Sequence, residues 1–425
     1  MSSLLRIFFC FLARICILRH KPFVIGITGS FGKTTARHIL TEILKKNNQN
    51  VWTPEGNYNG EWGLALAVLQ VKSGGHSILW WIHAFSGAFR SIITSHYPSI
   101  LVLEYGVDHA GEMKVQTDII EPDIALLTTL SPSHLQGFSC IQEYYDEKEK
   151  ILSRKHKNTF AIGNRDDIHQ AGFVCQMWYG EKKSDITFSD IREYSDRTEA
   201  QIHLEDSTVY LQTPILGKHH IGLITAAIAV ALEMKMTVPG ILEAIATIQL
   251  PEGRGNVLQG INNSLIIDGT YNGGFEPIVA GVEMAYRLAQ WDNKKLITLL
   301  GDMRELWSEE VSRHQELWNT LRALDNVQYI FVGKVCQTVI GPMLSVEEWK
   351  RVSFFLDARA AGQCARESIL DTDIKTLIFA KGSQNTIYLE EALKEIIIPE
   401  ELTKIVRQDA MYLEKKQAFW KTLSQ

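Results

Sequence analysis

The sequence predicts an α/β protein: a P-loop domain on a mainly parallel sheet, then a smaller Rossmann-like α/β domain. Three observations carry this. A short β-branched apolar run, Phe23 to Thr28 (FVIGIT), leads into Gly29-Ser30-Phe31-Gly32-Lys33-Thr34-Thr35 and a helical stretch to about Lys46. Strand, glycine turn and helix in that order form the βα unit that opens an α/β domain. Pro251-Glu252-Gly253-Arg254-Gly255 reads as a linker, and strand and helix patterns alternate again beyond it. The length of 425 residues fits two or three domains at roughly 100–200 residues each.

The first element is a leader helix over residues 1–21. Leu4 to Leu18 is apolar apart from Arg6 and Arg14, and Arg19, His20 and Lys21 follow. The run is short for a span of ~20 apolar residues, and no small-residue cleavage site precedes Pro22. It reads either as a helix packed on the domain or as an interfacial helix, with residues 4–21 meeting anionic headgroups at the inner face of a membrane. The first α/β domain then covers residues 22–255. Ser99 to Glu104 (SILVLE) is a buried strand ending in a carboxylate, and Asp123 to Thr128 (DIALLT) is another. Residues 141–152 read as a charged amphipathic helix, 200–212 as a hairpin and 221–234 as an alanine-rich helix. Residues 256–425 form the second domain, with strands near 264–268, 296–300, 328–332, 352–356 and 375–380. From Pro399 a charged amphipathic helix is expected to run to the terminus.

Composition removes several classes. Apolar residues make up 45% and charged residues 22%, which excludes a disordered chain and a polytopic membrane protein. The net charge of -6 argues against nucleic acid as a partner. The six cysteines form no C-x-x-C pair, so reduced thiols in a cytoplasmic protein are expected.

The loop from Gly29 to Thr35 carries the chemistry. Consecutive N–H groups at a helix N-terminus make an anion site. Lys33 would reach the β- and γ-phosphates and Thr34 would hold Mg²⁺. The spacing is a shortened variant, T-G-x-x-G-K-T-T, because Ile27 stands where the usual pattern has glycine. A loop of this kind indicates a nucleotide without fixing the reaction.

At this point the chain resembles the Mur ligases, ATP-dependent amide ligases of peptidoglycan precursor synthesis. The resemblance rests on an ordered set of segments from about residue 22 to 395. These are Thr28 to Thr35, Thr53 to Asn59, Val102 to Gly106, Ser133-His134-Leu135 with Phe138, Lys148 to Ile151, Gly217-Lys218-His219 and Gly253-Arg254. Leu300-Gly301-Asp302-Met303-Arg304-Glu305-Leu306 with His314, Asp268 to Asn272 and Ala380 to Ser383 resemble the branch that adds D-alanyl-D-alanine.

The resemblance implies an acyl phosphate made from a donor carboxylate and ATP, then attacked by an amine. It implies catalytic roles for Lys33, Glu104, His134 and Lys148. Two Mg²⁺ sites would use Thr34, Glu104, His134 and a carbamylated Lys148. ATP would contact Gly29, Ser30, Phe31, Gly32, Lys33, Thr34, Thr35, His219, Arg254 and Asp268. Asn57, Asn59, Tyr271, Asn272, Lys381 and Ser383 would line the sites of a nucleotide-sugar peptide and a dipeptide, in a monomer. The ATP loop and Asp268 lie on different domains and must meet around one nucleotide.

Departures from the family pattern are informative. About 22 residues precede the first strand, so the N-terminal domain that grips the UDP-sugar in this branch is not expected here. His220 and Leu223 stand where the family has two asparagines near adenine. Two lost neutral hydrogen bonds lower affinity roughly 30-fold. Gly273-Gly274-Phe275 and Gln384 also depart, at the acceptor side. A poly-γ-glutamate synthetase-like ligase and an inactive nucleotide-binding scaffold at the membrane are the competing readings.

Overall fold

In a computed structural model of the chain, the described residues are 3–423 other than 57, 59, 73–77, 133–136, 153–157, 305, 307–308 and 384–386. The fold divides into two compact units. One comprises Met1–Ile191, Glu199–Thr213 and His220–Ile248, and the other Arg192–Thr198, Pro214–His219 and Gln249–Gln425.

The first unit begins with α1 (Ser3–His20), β1 (Phe23–Thr28), α2 (Lys33–Lys46), β2 (Val51–Trp52), α3 (Gly60–Val68) and α4 (Ile78–Ile93). It continues through β3 (Ile100–Glu104), α5 (Glu112–Ile119), β4 (Ile124–Leu127), α6 (Ile141–Glu149), β5 (Phe160–Asn164), β6 (Met177–Gly180) and β7 (Ile186–Glu193). A hairpin of β8 (Thr198–Leu204) and β9 (Ser207–Thr213) precedes α7 (Lys218–Glu233) and α8 (Val238–Ile245). Nine strands form one sheet in the order β2-β3-β1-β4-β5-β6-β7-β8-β9. Strands β1 to β7 pair in parallel.

Burial explains these elements. Strands β3 and β4 are buried at every position, as continuous β-branched and leucine runs require when helices cover both faces. In the sheet β1 lies between β3 and β4, and the chain passes from β1 to β2 on one side and from β3 across to β4 on the other. The carboxyl end of β1 is therefore a topological switch point, where an open α/β sheet leaves a crevice for ligands. The leader α1 packs through Phe9, Leu12, Ala13 and Cys16 into the core shared with α3 and α4.

The second unit contains β10 (Asn256–Gln259), β11 (Leu265–Gly269), α9 (Phe275–Trp291), β12 (Lys295–Gly301), α10 (Glu310–Leu321) and β13 (Val327–Val332). It ends with β14 (Val352–Phe355), α11 (Ala358–Leu370), β15 (Thr376–Lys381), α12 (Glu390–Leu393) and α13 (Ala410–Leu423). The sheet order is β10-β11-β15-β12-β13-β14, parallel except for the β10–β11 pair. Apolar clusters around Trp318 and Phe331 on one face and around Ile297 and Ala361 on the other cover it.

One element corrects the sequence reading. The segment after Pro399 is not a single helix to the terminus. A 3₁₀ turn (Pro399–Lys404) is followed by extended chain, and α13 starts at Ala410. The break is at Arg407, whose φ of 57° no helix tolerates. Its guanidinium donates to Glu390 Oε2 at 3.0 Å and to the carbonyls of Thr270 and Tyr271 at 2.8 and 2.6 Å. These buried tertiary bonds override the local helical pattern. Strand β10, just beyond the segment read as a linker, has no counterpart in the sequence reading, since four residues give no reliable period.

Candidate active site

In the first unit the site grows from the end of β1. Gly29 has φ +143° and Gly32 has φ +85°, both left-handed or beyond for an L side chain. A Cβ at Gly29 would collide with Thr128 Oγ1. A Cβ at Gly32, the residue before α2, would sit 2.8 Å from Leu223 Cδ2. Both glycines hold the turn that leads into α2, whose N-terminus is the kind of place that favours an anion.

The loop is clamped by polar groups. Ser30 N donates to Thr129 O at 2.8 Å, and Ser30 Oγ donates to Ser131 O at 2.8 Å and lies 3.0 Å from Tyr144 Oη. Thr128 Oγ1 donates to Phe31 O at 2.6 Å. Lys33 Nζ curls back to Gly29 O at 2.7 Å and Ser30 O at 3.1 Å. Thr34 and Thr35 open the helix just behind it, Thr34 half-buried and Thr35 buried.

Lys148 is the most informative residue of the site. It sits on α6, 1% exposed, with Nζ donating to Gly29 O at 3.1 Å and lying 4.6 Å from the Tyr144 ring centre. Burial pulls its pKa from 10.5 down to about 7, against the opposing pull of Asp108 and Glu147. A sequence context of D-E-K-E-K suggests a solvated helix face, yet α6 buries Glu147 and Lys148 together. Glu147 is held by Met113 N at 2.8 Å and by Lys150 Nζ at 2.6 Å.

Glu104 ends β3 in register with Ile27 of β1 and is 5% exposed. Its Oε1 lies 3.1 Å from Arg37 Nε and has no hydrogen bond in aligned geometry. Arg37 was missed in the sequence. It lies one helical turn after Lys33, on the same face of α2, which is the signal that finds it. A buried carboxylate at a strand end is a suitable donor for a hard cation such as Mg²⁺. His134, Asn57 and Asn59 lie outside the described residues.

At α7, Gly217 has φ +99° and His219 is exposed in the first turn. His220 is buried. Leu223, at the family's asparagine position, is spent on packing against Gly32.

The second unit gathers a second set of groups at the carboxyl ends of β11 and β15. Asp268 is fully buried; its Oδ1 accepts from Thr270 N at 2.9 Å and Thr270 Oγ1 at 2.7 Å, while Oδ2 has no hydrogen-bond partner among the described residues. Burial raises its pKa from 3.8 to about 6. Lys381 pairs in register with Gly269, and its pKa falls to about 8 through burial and the nearby Arg254 cation. Tyr271 lies between two guanidinium groups, Arg254 at 3.9 Å and Arg407 at 5.5 Å from its ring centre. Ser383 Oγ donates to Gly273 O at 2.8 Å and accepts from Arg304 N at 3.0 Å, which ties the loops after β11, β12 and β15 together. Asn272 is half-buried beside them and its Oδ1 accepts from Gly273 N at 2.9 Å.

The Asp302 and His314 pair turns out to be structural. Asp302 accepts from Val335 N at 3.1 Å and Cys336 N at 2.7 Å, capping the helical turn after β13. His314 Nε2 accepts from Met303 N at 3.0 Å, so its Nδ1 carries the proton shared with Glu310 O at 2.6 Å. Asp302, His314 and Cys336 cluster closely enough for a metal. Both histidine nitrogens are committed, however, and burial pushes the thiol pKa well above its usual value, so the cluster is a poor ligand set. Glu305 lies outside the described residues.

Comparison with known proteins agrees with this arrangement. Residues 90–231 match the Mur ligase middle domain. The UDP-N-acetylmuramoyl-tripeptide–D-alanyl-D-alanine ligase of Escherichia coli is 26% identical over 73% of this chain and 64% of its own length. The Bacillus subtilis ligase of the same name is 26% identical over 88% of this chain and 76% of its own. The crystal structure of the MurF ligase from Thermotoga maritima in complex with ADP superposes with a TM-score of 0.75 at 22% identity, covering 92% of this chain and 83% of that one. The shared fold is thereby established. The matched region spans just under two thirds of the E. coli ligase.

Proposed function

We propose that this chain, which carries the Mur ligase middle domain, is an ATP-dependent, ADP-forming amide ligase of peptidoglycan precursor synthesis. The donor carboxylate belongs to a muramoyl peptide and the acceptor amine to D-alanyl-D-alanine, as the names of its relatives suggest. The observation that carries the reading is Lys148: a buried amine of depressed pKa, bonded to the carbonyl of Gly29 at the root of the phosphate loop.

The donor oxygen attacks the γ-phosphorus of ATP and the bond to ADP breaks. The amine then attacks the acyl carbon, phosphate leaves and the amine gives up a proton. The loop Gly29 to Thr35, through the amides at the start of α2 and the Lys33 side chain, would hold the phosphates and offset the charge that develops on them. Thr34, Glu104 and His134 would hold Mg²⁺, which draws charge from the γ-phosphoryl oxygens. Arg37, 3.1 Å from Glu104 Oε1, would keep the carboxylate oriented. Lys148 would join these ligands as a carbamate, since its amine is neutral enough to react with CO₂ near pH 7. Asp268, with one unpartnered oxygen, suits a ribose hydroxyl, and Arg254 and His219 would complete the ATP contacts. Tyr271, Asn272, Lys381 and Ser383, with Asn57 and Asn59, would line the peptide substrates. The enzyme would act as a cytoplasmic monomer, with ATP-binding and ligase domains at 22–255 and 256–425.

The test is phosphate release by the purified protein with ATP, Mg²⁺ and bicarbonate. UDP-N-acetylmuramoyl-tripeptide and D-alanyl-D-alanine are supplied together and singly, beside Lys33→Ala. Release only with both, lost in Lys33→Ala, is expected. Release with glutamate as acceptor instead would favour a polyglutamate-type ligase. Nucleotide binding with no turnover on any substrate would favour a scaffold.

A further inference from the structure

Helices α1 and α4 lie side by side on the first unit, joined by Phe9 and Phe85 with ring centres 5.2 Å apart. Each buries one face and exposes the other. On α1 the buried face is Phe9, Leu12, Ala13 and Cys16, and Ile7, Phe11 and Leu18 point the opposite way. On α4 the buried face is Ala84, Ala88 and Ser91, and Ile82, Phe89 and Ile93 point away. The spacings of four and seven residues put each trio on one stripe. All six side chains are more than half exposed. Large apolar residues clustered this way on a folded surface mark a place where something docks.

Charge identifies the occupant. Residues 1–41 and 62–103 contain no aspartate or glutamate, although the whole chain carries a net charge of -6. Arg14 stands within the α1 stripe between Phe11 and Leu18. Arg19 and Lys21 follow at its end, Arg90 adjoins Phe89 on α4, and all four are exposed. A second copy of this face would bring cation against cation. An anionic bilayer surface offers acyl chain to the apolar stripes and phosphate to long cationic side chains that extend past them. Among the described residues no helix is long and apolar enough to cross a membrane, so the contact is with the surface.

We propose that the paired outer faces of α1 and α4 dock this protein on an anionic lipid surface, by shallow insertion of Ile7, Phe11, Leu18, Ile82, Phe89 and Ile93 with Arg14, Arg19, Lys21 and Arg90 on headgroup phosphates. This inference is independent of the ligase reading. It also resolves the two alternatives for the leader, because one helix packs on the domain with one face and meets lipid with the other.

The test is flotation of the full chain with vesicles of phosphatidylglycerol in phosphatidylcholine and with phosphatidylcholine alone. Binding is expected only with the anionic lipid, weakening steeply as salt is raised. A surface cation near an anionic leaflet strengthens partition roughly five-fold, so Arg14→Gln/Arg19→Gln/Lys21→Gln should lose about 100-fold. The charge-preserving variant Ile7→Ser/Phe11→Ser/Leu18→Ser should lose at least about ten-fold while its far-UV circular dichroism and thermal midpoint stay near wild type. No flotation with the anionic vesicles would overturn the proposal. So would concentration-dependent dimerisation in sedimentation velocity that the Ser variant abolishes, because a second copy would then be the occupant.

Discussion

Replacing Lys148 by methionine keeps most of the side chain's length and removes its titration. The ammonium of wild-type Lys148 is buried, and its pKa falls from 10.5 in the unfolded chain to about 7 in the native state. Below pH 7 both states carry the proton, and the folded protein bears the full cost of a buried charge. Between pH 7 and 10.5 the native state has released the proton while the unfolded chain keeps it, so wild-type stability rises with pH. The slope is about 1.4 kcal/mol per unit. From pH 6 to pH 9 this window covers roughly two units, or about 3 kcal/mol. Lys148→Met does not titrate, so its stability relative to wild type should be highest at pH 6 and should fall by about 3 kcal/mol at pH 9. Gly29 O retains Lys33 Nζ as a partner in the variant. Urea unfolding of both proteins at the two pH values, in bicarbonate-free buffer, measures the difference directly. A gap that is the same at both within about 0.5 kcal/mol would refute the buried, depressed amine and with it the chemical basis for a carbamate at this position.

Other consequences are testable in the same way. With ¹³C-bicarbonate near pH 8, wild type should show a protein-bound carbamate resonance that Lys148→Met lacks. Asp268 has its pKa raised by burial from 3.8 to about 6. The stability it contributes is therefore complete below pH 3.8 and lost as pH rises through 6, so Asp268→Asn should gain about 2–3 kcal/mol relative to wild type between pH 4 and pH 8. The same variant should raise KM for ATP. Lys416 is fully buried with Nζ 2.9 Å from Glu390 Oε1, 2.7 Å from Glu391 Oε1 and 2.8 Å from Arg407 O. Removing it as Lys416→Ala strands buried carboxylates and should cost about 3–5 kcal/mol in chemical denaturation. Gly29→Ala forces a Cβ onto Thr128 Oγ1 at a φ of +143° and should abolish ATP binding in a titration with a fluorescent analogue.

Local sequence signals account for the α/β class, the phosphate loop, the β3 glutamate, strands β1, β3, β4 and the β8–β9 hairpin of the first sheet, and β11 to β15 of the second, but not β2, β5, β6, β7 or β10. Each rests on short-range physics: β-branched apolar runs must be buried, a glycine turn must take left-handed φ, and a lysine just inside a helix start faces the anion. Those rules work within a window of a few residues, and they located Lys33, Thr34 and Glu104. Only the tertiary structure decided the rest. Lys148 reads as a solvated charge in its own segment, and its burial comes from the fold around Gly29 and Tyr144. Asp302 and His314 look like chemistry in the sequence, but backbone amides from β13's following turn and from Met303 consume them. The helix expected after Pro399 breaks because Arg407 gains buried partners from residues more than a hundred positions away. Leu223 became a wall of the loop through contact with Gly32 across the chain. Burial and pKa are sums over neighbours brought together by folding, and no local pattern contains those neighbours.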